Sequence, residues 1–199
     1  EIIDERESEI FGTTDNGTEV TTKTVTTNDQ TAVKSVAPGT YYMSETGLAD
    51  YDRVLTCTRN GNAATVGASG DIAVQSNDVV LCTYTNTRKQ GKIELKKAWV
   101  GTGGQTTLNI GTSPGGSDKG SQLTGAAGGA PLSTGSKTVD TGTYYLSESG
   151  GLADYTAAPL ECKDGSTVLT VGANNSVTVG QNQNVVCTSK GTLLSSCSK

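Results

Sequence analysis

The chain of 199 residues carries 15 Lys and Arg against 20 Asp and Glu, a formal net charge of −5, and no His. Without clustered cations it has no footprint for nucleic acid, and without His it has neither His-based catalysis nor His metal ligation. Hydrophobic residues make up 33% and aromatics 5%, while Gly alone numbers 26, so any core is thin and no apolar run is long enough to cross a bilayer.

From the N-terminus, Glu1 to Ile10 (EIIDERESEI) is charged, and Asp15-Asn16-Gly17 reads as a turn because Asn and Gly tolerate positive φ. Val20 to Thr27 (VTTKTVTT) is dense in β-branched residues, which lose side-chain freedom in a helix and fit a pleated sheet. Gly39 to Glu45 (GTYYMSE) is strand-like and places Tyr41, Met43 and Glu45 on one face. A turn through Ala49-Asp50-Tyr51 leads to a strand with Cys57, and Asn60-Gly61-Asn62 reads as another turn. Neither Asn-rich turn has the ligand spacing of a calcium loop. The run Val79 to Asn86 (VVLCTYTN) puts Val80, Cys82, Tyr84 and Asn86 on one face. After Lys89-Gln90-Gly91, Lys92 to Val100 (KIELKKAWV) places Ile93, Leu95, Lys97 and Trp99 together. Gly101 to Gly104 and the long stretch from Gly111 to Ser136 read as loops, with no phosphate-binding signature. No window shows sustained helical spacing. The chain reads as all-β.

An internal repeat organises these elements. Gly39 to Glu45 recurs as Gly142 to Glu148 (GTYYLSE), Thr65 to Ala68 as Thr170 to Ala173, and Val79 to Thr83 as Asn184 to Thr188, at an offset of 103 to 105 residues. Two homologous modules follow: residues 1–88, a linker at 89–91, and residues 92–199. A joint this short extends to only about 13 Å, which suits modules placed end to end in a stalk.

The cysteines follow the repeat. Between Cys57 and Cys82 lie 24 residues, and between Cys162 and Cys187 again 24. One disulfide per module is the expected pairing, since two isolated Cys without His make a poor zinc site and no Cys-x-x-Cys redox motif occurs. Disulfides place the chain outside a reducing cytosol, at a cell surface or in the extracellular space. Cys197 is left over and is a candidate for an intermolecular bridge.

In each apolar stripe one polar residue stands alone: Glu45 and Asn86 in the first module, Lys97 and Glu148 in the second. A first strand of apolar-x-apolar-x-Lys, a later Tyr-x-Leu/Met-x-Glu and a last strand ending aromatic-x-Asn together resemble the Cna B-type, prealbumin-like (SpaA-type pilin-related) repeat domains of bacterial surface fibres and adhesins. The resemblance covers nearly the whole chain. It implies two tandem antiparallel β-sandwich modules, prealbumin-like and Ig-like, acting as a structural subunit or stalk segment of a surface fibre that self-assembles. It also implies an amide (isopeptide) crosslink between a first-strand Lys and a last-strand Asn, with a Glu relaying protons. The chemistry suits these residue types, because an amine attacks when deprotonated and a protonated carboxyl polarises an amide carbonyl.

The match departs from that pattern in both modules. The first has Glu45 and Asn86, yet Glu1 to Ile10 offers no equivalent of Lys92 to Lys97. Aligning Phe11-Gly12-Thr13 with Ile110-Gly111-Thr112 puts the first module's first strand largely before residue 1: either the chain is a slice of a longer array cut inside a repeat, or the strand is supplied in trans by a neighbouring molecule. The tail Thr192 to Cys197 is a conceivable donor. The second module has Lys97 and Glu148, but Asn86 maps onto Gly191. The rival expectation is an adhesin module that binds a carbohydrate or host protein through loop 111–136. No catalytic residues are expected, since no nucleophile motif or acid–base carboxylate pair occurs, and no metal, cofactor, nucleic acid or membrane insertion either.

Overall fold

The structure, a computed structural model, describes residues 7–25, 31–47 and 49–194. It separates into two compact units, Glu1–Arg88 and Lys89–Lys199. Each is built from β-strands, with two single-turn 3₁₀ segments, Ala126–Gly128 and Ala173–Asn175, in the second.

The first unit holds β1 (Glu7–Gly12), β2 (Thr21–Val25), β3 (Gly39–Thr46), β4 (Tyr51–Arg59), β5 (Asn62–Ala64), β6 (Asp71–Val74) and β7 (Val80–Arg88). One sheet has the order β2-β1-β3-β6 and the other β5-β4-β7. The turns between strands use the residues that allow them: Asn16, Asn60 and Gly61 all have positive φ, at 57°, 50° and 80°, the region Asn and Gly enter most readily. The described buried apolar residues of this unit are Tyr41, Cys57 and Ile72.

The second unit holds β8 (Gln90–Val100), β9 (Thr107–Gly111), β10 (Gly120–Leu123), β11 (Lys137–Asp140), β12 (Gly142–Ser149), β13 (Tyr155–Ala157), β14 (Glu161–Asp164), β15 (Thr167–Leu169), β16 (Ser176–Val179) and β17 (Asn184–Leu193). Its sheets run β10-β9-β12-β16 and β11-β8-β17-β14-β15, with β13 also on β17. Apolar residues from both sheets meet in one core: Ile93, Leu95, Val185 and Cys187 face Leu108, Ile110, Tyr144, Leu146, Val177 and Val179. All described pairings are antiparallel except that of β8 with β17, the first and last strands, which run parallel.

The strands of the two units correspond, β4 matching β13 and β14 together, with two exceptions. β1 and β9 both pair with the Tyr-rich strand in the same register, Phe11 opposite Met43 and Ile110 opposite Leu146, so the alignment of Phe11 with Ile110 is seen in the backbone. The turns after them match too. Glu19 accepts from the Thr13 backbone N–H at 3.1 Å and from the Thr14 hydroxyl at 2.8 Å, and Asp118 accepts both from Thr112, at 2.8 and 3.1 Å. The exceptions are β8 and β11. Among the described residues nothing in the first unit occupies the place of β8, and β7 pairs with β4 alone. The segment Lys34-Ser35-Val36-Ala37 echoes β11 (Lys137-Thr138-Val139-Asp140) but forms no strand. The reason is local: β11 pairs with β8 and with no other strand, so without a β8 its counterpart has nothing to bond to.

Three sequence expectations are revised. Gln90 and Gly91, expected in a linker, already pair with Asp140 and Val139, so only Lys89 separates β7 from β8. The stretch 111–136 is not a loop throughout, since β10 pairs with β9 and Thr124 and Thr134 are buried. In the conceived donor tail, Thr192 and Leu193 belong to β17 and pair with Thr156 and Tyr155. Cys197 lies outside the described residues.

Candidate functional site

A disulfide joins Cys57 on β4 to Cys82 on β7, and a second joins Cys162 on β14 to Cys187 on β17. Each bridges directly opposed residues of adjacent strands. In the chain-entropy account a closed loop of this size contributes about 3–4 kcal/mol, a large share of the roughly 5–15 kcal/mol by which a domain is stable.

Beside each bridge sits a polar cluster on the inner face. In the second unit Lys97 comes from β8, Glu148 from β12 and Ser189 from β17. Strand alternation carries Lys97 inward after Ile93 and Leu95, and it is 4% exposed. Its Nζ lies 2.8 Å from one Glu148 oxygen and 3.0 Å from the other, and the Ser189 hydroxyl donates to Glu148 at 2.7 Å. The Nζ also stands 4.4 Å from the centre of the Trp99 ring. Charge, hydrogen bonds and a ring face thus compensate the desolvation that burying such a pair incurs. Gly191, the position matching Asn86, borders this cluster: a Cβ built on it would lie 2.9 Å from Lys97 Nζ and 3.2 Å from the Trp99 ring. The amide-bearing side chain that the resemblance requires is absent where it would meet the amine.

The first unit holds the other half of the set. Glu45, 6% exposed, accepts from Asn86 Nδ2 at 2.9 Å, and its backbone carbonyl accepts from Arg53. Its second carboxylate oxygen is buried with no hydrogen bond. No Lys or Arg forms an ion pair with Glu45 among the described residues. Tyr84, in the place of Ser189, donates to the Met43 carbonyl at 2.9 Å; burial, and after it the Glu45 carboxylate, holds its phenol above the ordinary range. The structure therefore brings Glu45 to Asn86 and Lys97 to Glu148, and among the described residues of neither unit does it bring a Lys, a Glu and an Asn together. Sequence reasoning placed Tyr84 on the inner face without giving it a role, and passed over Ser189. The signal was available, because both share strand parity with the second Cys of their unit.

Among the described residues no group of three or more His, Cys, Asp and Glu could hold a metal, and no helix is long and apolar enough to cross a membrane.

The family described as the prealbumin-like fold domain matches the chain twice, over residues 6–84 and 86–189. The chain belongs to this family. Its two matched segments follow the two units, so each unit is a prealbumin-like domain. Similar solved structures are the C-terminal fragment of the pilus adhesin SpaC from Lactobacillus rhamnosus GG (13% identity, 98% of this chain and 91% of that one, TM-score 0.48) and the major pilin T-13 from Streptococcus pyogenes (13% identity, 94% and 89%, TM-score 0.45). A search of curated proteins returns no match.

Proposed function

We propose that the chain is a non-enzymatic structural segment of an extracellular surface fibre or pilus, made of two prealbumin-like domains in series. The observation that carries this reading is the tandem repeat of one disulfide-tied domain, with only Lys89 between the last strand of the first and the first strand of the second. A joint of one residue leaves little chain to flex, as a load-bearing series of domains requires. The disulfides favour an oxidising location.

Assembly runs through strand addition at β7 of the first unit, the known mode by which an extended segment completes an open sheet edge. Where the added strand brings a Lys to Asn86, a covalent lock becomes available. The amine nitrogen bonds to the Asn86 side-chain carbonyl carbon, the amide C–N bond breaks, and ammonia leaves, with Glu45 passing the proton.

Negative-stain microscopy of the purified chain tests the fibre reading. Regular filaments that lengthen with concentration are expected. Isolated two-bead particles at all concentrations would reject it.

A further inference from the structure

We propose that the second unit carries a binding pocket for an alkylguanidinium, the chemistry of an arginine side chain, between β12 and the break that separates β13 from β14. The pocket is a feature of the second unit by itself and does not depend on the fibre reading.

Its origin is one extra residue. From Tyr51 to Cys57 the chain pairs with β7 without interruption. The matching run from Tyr155 to Cys162 is one residue longer, and its pairing with β17 stops after Ala157 and resumes at Glu161. Ala158, Pro159 and Leu160 therefore oppose only Ser189 and Lys190, a β-bulge. The Ala158 N–H donates to the Lys190 carbonyl at 3.0 Å, and Pro159, with no N–H to offer, keeps the ladder interrupted. A bulged strand bends, and here the three residues wall a cavity of 320 Å³. Leu95, Leu146, Glu148, Asn175 and Ser189 line the rest of it. That volume lies at the lower end of the range for ligand pockets, about 300–1,000 Å³.

The first unit shows what fits. By the repeat, Arg53 matches Ala157 and Asn86 matches Gly191, and the members of each unit's pair stand directly opposite one another. Arg53 shares strand parity with Leu55 and Cys57, so its side chain turns to the inner face. Its guanidinium donates to the backbone carbonyl of Glu45, the counterpart of Glu148. The Arg53 side chain thus runs between two positions whose equivalents, Ala157 and Glu148, both line the cavity of the second unit. One unit carries the guanidinium on its own strand. In the other, Ala157 and Gly191 are too small to fill the same volume.

The lining suits that group. Leu95, Leu146 and Leu160 can cover an alkyl stem, since the stems of charged side chains lie along apolar surface while the head seeks acceptors. At the inner end Glu148 is already paired with Lys97 at 2.8 Å, and the pair is neutral as a whole. The pocket therefore offers hydroxyl and carbonyl acceptors rather than a bare carboxylate. A planar guanidinium meets several such acceptors at once with a fixed fork of donors, whereas a compact ammonium is more strongly hydrated and makes fewer directed bonds. Selectivity for guanidinium over ammonium follows.

The test is a titration of the whole chain with N-acetyl-argininamide, followed by backbone amide chemical shifts. N-acetyl-lysinamide and sodium chloride at equal ionic strength serve as controls. Saturable shifts are expected at Glu148, at Ala157 to Leu160 and at Ser189, with the lysine compound roughly tenfold weaker. Ala157 is exposed, so Ala157→Arg should leave the fold intact; it supplies the group from the chain itself and should remove the saturable response. The peptide acetyl-Gly-Arg-Gly-amide separates two sources of the same chemistry. Binding equal to that of N-acetyl-argininamide assigns the pocket to an arginine within a polypeptide, and its loss assigns the pocket to a free small molecule. No saturation, shifts confined to residues away from the cavity, or an equal response to the lysine compound would each overturn the proposal. These are read on the unaltered chain and decide even where Ala157→Arg does not fold. An undiminished response in folded Ala157→Arg would overturn it as well.

Discussion

The two units are copies of one domain that differ, among the described residues, at the place of β8. In the second, the first strand lies between the last strand and β11, and its Lys97 satisfies Glu148. In the first, no described strand fills that place, and the consequences spread outward from the gap. The counterpart of β11 loses its ladder, and the inner face of β7 is half-exposed where that of β17 is buried. One strand thus governs pairing, core and electrostatics together. Its two fully buried apolar side chains alone are worth about 1.5–3 kcal/mol each, a sizeable part of a small domain's stability.

The largest expected effect comes from breaking the occupied site. Lys97→Ala should destabilise the second unit by about 3–5 kcal/mol, because it strands the Glu148 carboxylate in the core. Trp99 is the chain's single Trp and belongs to this unit, so its fluorescence during denaturant unfolding isolates the effect. Glu45→Gln in the first unit should cost little or even stabilise, since no cation is lost. Equal losses at the two sites would break the comparison.

Separating the halves sharpens it. Lys89–Lys199 should unfold cooperatively on its own. Glu1–Arg88 should melt lower, with its core of few buried apolar residues. Equal melting temperatures by calorimetry would contradict the missing-strand account.

Much of this was legible in the sequence because the repeat is close. Matching Gly39 to Glu45 with Gly142 to Glu148 located the Tyr-rich strands and their inward carboxylates. Two equal Cys spacings located the disulfides, and strand parity put Lys97 on the inner face. Other features resisted. Gln90 and Gly91 looked like a linker because they are polar or small, yet Gly91 is buried in β8, where a Cβ would meet the Gly180 carbonyl oxygen at 2.5 Å and a Val179 methyl at 2.6 Å. The stretch 111–136 is rich in Gly and Ser, which hides β10, a short strand held by its pairing with β9 rather than by propensity. The parallel pairing of β8 with β17 has no local signature, since it joins residues far apart in sequence.

Gly191→Asn asks whether the second unit lacks only its amide. The new side chain starts 2.9 Å from Lys97 Nζ, the mobile end of a long side chain that can give way. Intact-mass measurement should show the loss of one ammonia, abolished by adding Glu148→Ala. An unchanged mass with a folded spectrum would show that proximity of Lys, Glu and Asn is insufficient here.

The smallest effect concerns the matched turns. The Thr112 backbone N–H first, then the Thr112 hydroxyl, holds the Asp118 carboxyl below the ordinary range against slight desolvation. A lowered folded value means the contribution is present above the ordinary carboxylate pKa and fades as pH falls through the lowered one. Asp118 is largely exposed, so Asp118→Asn should remove less than about 1 kcal/mol at neutral pH, and the loss should vanish in acid. A pH-independent difference would point to another cause.

The central claim, that among the described strands β7 is bonded along one edge while β17 is bonded along both, is tested most directly by residue-resolved amide exchange on the intact, unassembled chain. Along Val185 to Lys190, flanked by β8 and β14, amides should be protected throughout. Along Val80 to Thr85, only the alternate amides bonded to β4 should be protected, and those facing the open edge should exchange at rates near those of an unfolded peptide. Uniform protection of both stretches would contradict the account.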